Sequence, residues 1–249
     1  MYTKLLAYEI RSRLVADARS CGAFIAVIAV AAGIVAAGLP GISGSTAMLA
    51  YALCALTPAA CAIAALADYW KTLYGQRGYF TMSLPISGTV IFWAKVSRIV
   101  IECLLALALA VGGIIAVAAS AAWSDGISLA EYTAGPRSVV AGMPTSTVVI
   151  MIAVQIVLSM SWIVQGCAVM SIGAEGRFNH LGFGAPIIGF VLVYIVNQAL
   201  STVGTFFLPL SVTTDGHFST EIMWTSYRAT MGTDGQPNVI GIGSYILVP

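Results

Sequence analysis

The side chains that could do acid–base, nucleophilic or metal chemistry are few in this 249-residue chain, and they are badly spaced for it. Its five cysteines, Cys21, Cys54, Cys61, Cys103 and Cys167, form no CxxC pair, and all lie in or beside apolar segments. Cysteines so placed act as small hydrophobes. Ser43 and His180 could serve as nucleophile and base, but the long apolar stretches put them at opposite ends of a membrane thickness, outside hydrogen-bond reach. With one histidine expected inside (His180) and the other outside (His217), no metal or haem site is assembled. No G-x-x-x-x-G-K-[ST] phosphate loop occurs, so this chain is not expected to hydrolyse ATP. The charges that remain near apolar segments are more informative. Arg98 and Glu102 stand at i,i+4 on one helix face, a spacing that predicts an ion pair and lowers the cost of placing Glu102 near a membrane. Asp68 closes the preceding apolar stretch. A proton relay would need a further buried acid or histidine to continue the path, so a structural pair is expected instead. Gln155, Ser159, Trp162 and Gln165 recur along one later stretch, and Asn197 with Gln198 adds amides to the next. At hydrocarbon depth such groups need protein partners or a wet cavity, so both interhelical hydrogen bonds and a substrate-facing wall stay open.

The elements that must carry these residues are apolar helices. Stretches at approximately Cys21–Leu39, Ser45–Ala67, Val100–Ala122, Thr147–Ile172 and Pro186–Leu208 are each long enough, or nearly so, to cross a hydrocarbon core. Composition agrees, with 59% apolar and 8% charged residues and a mean hydropathy of +0.94. Lys4, Arg11, Arg13, Arg19, Lys71, Arg77, Lys95, Arg98 and Arg177 fall on one expected side, and only Arg137 and Arg228 on the other. That asymmetry predicts a cytoplasmic N-terminus. Residues 1–19 read as an amphipathic helix, with Tyr2, Leu6, Ile10 and Leu14 along one stripe, suited to the cytoplasmic interface or to packing on the bundle. Residues 20–249 read as one transmembrane domain. Gly22, Gly33, Gly38, Gly112 and Gly113 favour close helix approach, and Pro58 is expected to kink the second span.

The inner segment 69–98 has the densest punctuation. Tyr69 and Trp70 suit the headgroup level, Gly75 and Gly78 are turn points, and Leu84-Pro85 interrupts any continuous helix before a new one begins near Thr89. Two short helical pieces around such a turn would form a knob on the cytoplasmic face. Here the chain resembles the ABC-2 type permeases of bacterial exporters. Tyr8, Glu9 and Arg11 match a motif before the first span. Leu73, Tyr74, Gly75, Gly78, Tyr79, Thr81, Leu84, Pro85, Ser87 and Lys95 match the segment after the second, although Gly88 stands where family examples often carry a basic residue.

The resemblance implies an all-α, polytopic helical membrane protein with an ABC-2 type transmembrane domain in the bacterial cytoplasmic membrane. It implies a cytoplasmic ATP-binding partner that holds ATP and Mg, and a second permease subunit, identical or related. No cofactor is expected in this chain, and no nucleic acid among its partners. Tyr74, Arg77, Tyr79, Phe80 and Leu84 become the expected coupling contacts, with Tyr79 and Phe80 entering a groove of the ATPase. Gln155, Ser159, Trp162, Gln165 and Asn197 become possible lining for an amphiphilic cargo. The family has six spans, so Ile240–Val248 is expected to open a truncated sixth. Outer segments are expected at 123–146 and 209–239, the latter with a short helix near Glu221–Met231. A membrane scaffold or receptor for a cytoplasmic regulator, and an ATP-independent transporter, are the alternative functions. The topology makes a direct prediction. A membrane-impermeant maleimide should label Gly135→Cys in intact cells and leave Gly88→Cys at the level of the unaltered chain; the reverse labelling would invert the orientation.

Overall fold

Five helices long and apolar enough to cross a membrane dominate the computed structural model. It describes all residues except 1, 76–77, 79–80, 82, 84, 183, 214–216, 232–238 and 243–249, together with the side chains of 139, 179 and 180. Expectations placed on Arg77, Tyr79, Phe80 and Leu84, and on the His180 side chain, therefore lie outside the described residues. The chain is a multi-pass, all-α membrane protein. It divides into two compact units, residues 1–135 and 136–249, each taken separately below.

The first unit is built on three long helices, α1 (Tyr2–Ala36), α2 (Ser43–Leu73) and α3 (Gly88–Ser124). No proline interrupts α1, so the amphipathic first residues and the first span form one rod of 35 residues. At ~1.5 Å per residue it rises about 52 Å, well beyond the ~30 Å of hydrocarbon, and its polar first turns are the surplus. The orientation of that surplus differs from the expected stripe. Leu6 and Ile10 are half-buried but Leu14 is exposed, while Glu9 and Arg13 turn toward the bundle, where they meet opposite charge. Helix α2 runs unbroken through Pro58 to Leu73, with Tyr74 as its C-terminal cap, so the first of the two short pieces expected in segment 69–98 is the last turn of α2.

Helix α3 is the central element, packed by both α1 and α2. Its buried stripe, Ala106, Ala110, Gly113, Val117 and Ala121, steps by three and four residues and is made of small side chains. Small residues are what close packing needs in a bilayer, where burial against another helix gains little over burial in lipid. At Gly113 a β-carbon would lie 2.7 Å from Cys54 Sγ and 3.5 Å from the Phe24 ring. Cys54 in turn sits in a core of Ile28, Ala50 and Val117, flanked by Phe24, Ala31, Ala47 and Tyr51. The segment after α3 folds into α4 (Leu129–Tyr132), capped by Ser128 accepting from the Glu131 amide, and α5 (Ala134–Ala141), within which the division between the units falls.

The second unit pairs α6 (Thr145–Gly173) with α7 (Gly184–Phe207), linked through a 3-10 turn at Gly176–Leu181. Their close approach is again set by glycine. A β-carbon on Gly173 would meet Pro186 at 2.8 Å, and one on Gly189 would meet Val169 at 2.7 Å. After α7 come β1 (Ser211–Thr213), β2 (Phe218–Ser219), α8 (Met223–Thr230) and β3 (Val239–Gly241), the strands forming a small antiparallel sheet in the order β2-β1-β3. Phe206 and Phe207 at the end of α7 pack against Trp224, and Phe206 also against Tyr227.

Residues 239–241 correct one expectation. Ile240 was to open a sixth helix, yet Val239 and Gly241 are buried with Ile240 exposed between them, the two-residue period of a strand. The pairing of β3 with β1 and the Ile242 amide bond to the Leu210 carbonyl at 2.9 Å hold the chain extended there.

The Gly113 contact generates a prediction. Gly113→Val should destabilise the first unit by about 1–3 kcal/mol, as overpacking of a closed core does. In Gly113→Ala combined with Cys54→Ala the two losses should be less than additive, measured as unfolding in rising SDS; strict additivity would refute the contact.

Candidate functional site

Helical spacing brings six charged groups and one hydroxyl to a single place at one end of the three long helices of the first unit. Glu9 and Arg13 are i,i+4 on α1, and Asp68 and Thr72 are i,i+4 on α2. Lys95, Arg98 and Glu102 follow at i, i+3 and i+7 on α3. Arg98 lies at the centre, its side chain only 1% exposed. It donates from Nη1 to Glu102 Oε1 at 2.9 Å on its own helix, and from Nη2 to Asp68 Oδ2 at 3.1 Å on α2. Its Nε lies 4.0 Å from Glu9 Oε2 on α1 and makes no hydrogen bond. Lys95, 3% exposed at its side chain, donates from Nζ to Glu9 Oε1 at 3.0 Å and to Thr72 Oγ1 at 3.1 Å. Arg13 completes the set, with Nη2 2.8 Å from Asp68 Oδ1.

The electrostatics explain why so polar a cluster survives between apolar helices. The groups joined by these contacts are three cations and three carboxylates, so the ion pairs themselves balance. A lone buried ion would carry a solvation penalty of several kcal/mol, which only close opposite charge and hydrogen bonds offset. Arg98 meets that requirement with carboxylates from three helices, and Lys95 ties α1 to α2 through Glu9 and Thr72. The cluster thus fastens the three helix ends to one another. Nearby, Tyr2 and Ser97 share a hydroxyl–hydroxyl hydrogen bond of 2.7 Å between α1 and α3, and Cys61 Sγ approaches the Glu102 carbonyl at 3.8 Å.

Segment 69–98 is attached directly to this cluster. Thr81 Oγ1 donates to the carbonyl of Thr72, the residue whose hydroxyl receives Lys95. Glycine is required where the chain folds back on the end of α2. A β-carbon on Gly75 would stand 2.7 Å from the Lys71 carbonyl, and one on Gly78 would collide with the Leu73 carbonyl. Tyr74 caps α2, donating its amide to the Trp70 carbonyl at 2.8 Å, with its ring 5.4 Å from that of Trp70 and 6.3 Å from that of Tyr69. Its packing is therefore on the helix that precedes it.

The five residues expected to line a pathway divide into two groups. Asn197 on α7 is buried and donates from Nδ2 to Gln165 Oε1 on α6 at 2.7 Å. Gln155, Ser159 and Trp162 do not join them; all three are exposed on α6. At about 100° per residue, these three lie within roughly 60° of one another while Gln165 is rotated about 80° from Gln155. Gln165 is only about 60° from Trp162, so it is the bond to Asn197, and not helix spacing, that sets it apart.

Glu9, Asp68 and Lys95 were visible in the sequence as separate features, whereas their convergence, with Arg13 and Thr72, was not read. The available signal was the alternation of acid and base at three- and four-residue steps in three segments that end on the same expected side. Compared with protein-family models, with curated proteins and with solved structures, the chain matches none.

The network predicts an unequal mutational response. Arg98→Leu should destabilise the protein by about 3–5 kcal/mol, because three carboxylates lose their shared cation. Lys95→Met with Glu9→Gln should cost less than the two single changes summed, tested by a double-mutant cycle of unfolding in detergent. Independent effects would mean that the pair is not coupled.

Proposed function

We propose that this chain is the membrane-spanning permease subunit of an ATP-binding cassette exporter, working with a separate cytoplasmic ATPase that binds ATP and Mg. The observation that carries the reading is the Glu9–Lys95 contact. It joins the two segments through which the chain resembles ABC-2 permeases, one before the first span and one after the second. Glu9 and Lys95 are 86 residues apart in sequence, and the charge cluster brings them within 3.0 Å.

In this reading the ATPase docks on segment 69–98, with Tyr79 and Phe80 as aromatic anchors and Tyr74, Arg77 and Leu84 around them. A buried aromatic anchor transmits displacement better than a mobile rim charge. Thr81 passes force to Thr72, and the ion cluster at Lys95 and Arg98 makes the inner ends of α1, α2 and α3 respond together. Packed helices move as units between discrete arrangements, so a push on one short segment becomes a shift of three spans. The cargo is an amphiphile accepted from or released to the bilayer. The N-terminus lies in the cytoplasm of a bacterial cell.

Affinity purification of the chain in mild detergent should recover a Walker-motif ATPase in stoichiometric amount. Tyr79→Ala and Phe80→Ala should abolish coupled ATP turnover without reducing membrane insertion. A monodisperse, intact chain with no such ATPase would instead favour a scaffold or an ATP-independent transporter.

A further inference from the structure

We propose that Cys61 on α2 and Cys103 on α3 are a redox pair, oxidised by a hydroperoxide to a disulfide that locks the two helices together. The fold sets thiol beside thiol here. Both are free and only partly buried, and they share a side-chain hydrogen bond between the helices. The Cys61 sulfur also points at the Glu102 carbonyl, 3.8 Å away, so its own proton is turned to that oxygen and Cys103 is the donor to the Cys61 sulfur.

Two further contacts frame the pair. Cys54, Cys61 and Asp68 step by seven along α2 and therefore share a face. Their partners on α3 run in the opposite order: Gly113 closes on Cys54, Cys103 meets Cys61, and Arg98 holds Asp68 at 3.1 Å. The thiols thus form the middle rung of an antiparallel helix pair whose flanking rungs are both tight. Ala65, between Cys61 and Asp68, and Ala106, between Cys103 and Gly113, are buried. Side chains that small let the backbones approach, which a disulfide needs, since its two Cα atoms must lie within about 7 Å. Cys54 is different in kind: it sits among Ile28, Ala50 and Val117, where a thiol acts as a small hydrophobe. All these residues belong to the first unit, so the placement of the second does not enter.

A hydroperoxide suits the place because it is small, uncharged and able to enter apolar surroundings. The Cys61 sulfur attacks its outer oxygen. An S–O bond forms, the O–O bond breaks, and the departing oxygen takes the Cys61 thiol proton and leaves as an alcohol. The hydrogen bond from Cys103 stabilises the charge that builds on the Cys61 sulfur as that proton leaves. Cys103 then attacks the resulting sulfenic sulfur. The S–S bond forms, the S–O bond breaks, and hydroxide takes the Cys103 proton and leaves as water. Two electrons have passed from the thiols to the peroxide. A dithiol reverses the change by exchange. Asp68 lies two turns from Cys61, and Glu102 adjoins Cys103, so the bond ties α2 to α3 beside the ion cluster until it is reduced.

The inference does not rest on coupling to an ATPase; the exporter reading fails in co-purification, and this one fails in thiol counting. Membranes holding the full chain are treated with tert-butyl hydroperoxide and denatured, and the remaining thiols are labelled with a maleimide and counted by mass. The count should fall from five to three, with Cys61 and Cys103 recovered as linked peptides, and return to five in dithiothreitol. Cys61→Ser and Cys103→Ser should form no disulfide within the chain, whereas Cys54→Ala should still form it. Five free thiols after peroxide overturn the pair. So does a disulfide through Cys21, Cys54 or Cys167, or sulfinic acid on Cys61 with Cys103 still free. Copper–phenanthroline gives a second measurement: linkage with it but not with peroxide overturns the redox role, and linkage with neither overturns the geometry. The lock has its own readout. The oxidised chain should unfold at a higher SDS fraction than the reduced one, and the gap should vanish in Cys103→Ser; equal midpoints overturn the lock.

Discussion

Neutralising Arg98 is the constraint around which the first unit is arranged. A guanidinium that is almost wholly out of water must have carboxylates placed around its fork, and here they come from α2 and α3, with a third from α1 close by. Satisfying one cation therefore sets the rotation of three helices about their axes and their offset along the membrane normal. Lys95 repeats the logic one turn earlier, with Glu9 and Thr72. Replacing the cluster by apolar side chains of equal volume would not necessarily weaken the bundle, since buried ion pairs return about what their desolvation costs. Their contribution is geometric. Apolar surfaces slide past one another with little penalty, whereas a three-helix ion cluster has one arrangement in which every charge is paired.

Away from that end, the helices are held by shape. Gly113 against Cys54 and the alanine stripe of α3 permit contacts that larger side chains would hold open. Gly173 against Pro186 and Gly189 against Val169 do the same between α6 and α7, where the Asn197–Gln165 bond adds a polar fastening. The large apolar residues left exposed, such as Leu56, Ile115 and Leu192, belong on the lipid side, where tails solvate them as well as a protein core would. Polar specificity is thus concentrated at one end of the first unit, and dispersion holds the helices elsewhere.

How much of this was legible follows from which interactions are local. The Arg98–Glu102 pair could be placed from spacing alone, because both partners ride on one helix with a fixed rise and twist. The short helix after the last span could also be read, since Met223, Trp224 and Tyr227 lie on or near one helical face. Arg13 was legible only as a cytoplasmic charge; its partner Asp68 lies on another helix, and nothing in the neighbourhood of either residue encodes the rotation that joins them. Leu14 was expected on the same apolar stripe as Leu6 and is exposed instead, because Glu9 and Arg13 set how α1 faces the bundle.

By itself the sequence determined where the five long apolar runs fall, the excess of basic residues on one side, and the punctuation of segment 69–98. Each depends on contiguous residues, as a hydrocarbon core selects for runs of about twenty apolar residues whatever lies elsewhere in the chain. Only the tertiary structure decided that Glu9 meets Lys95, that Asn197 and Gln165 pair while Gln155, Ser159 and Trp162 stay on the surface, and that Val239–Gly241 is a strand. Those outcomes depend on which neighbour supplies the missing charge, amide or hydrogen-bonding edge. Such partners are set by helix rotation and strand pairing across tens of residues, which no local pattern specifies.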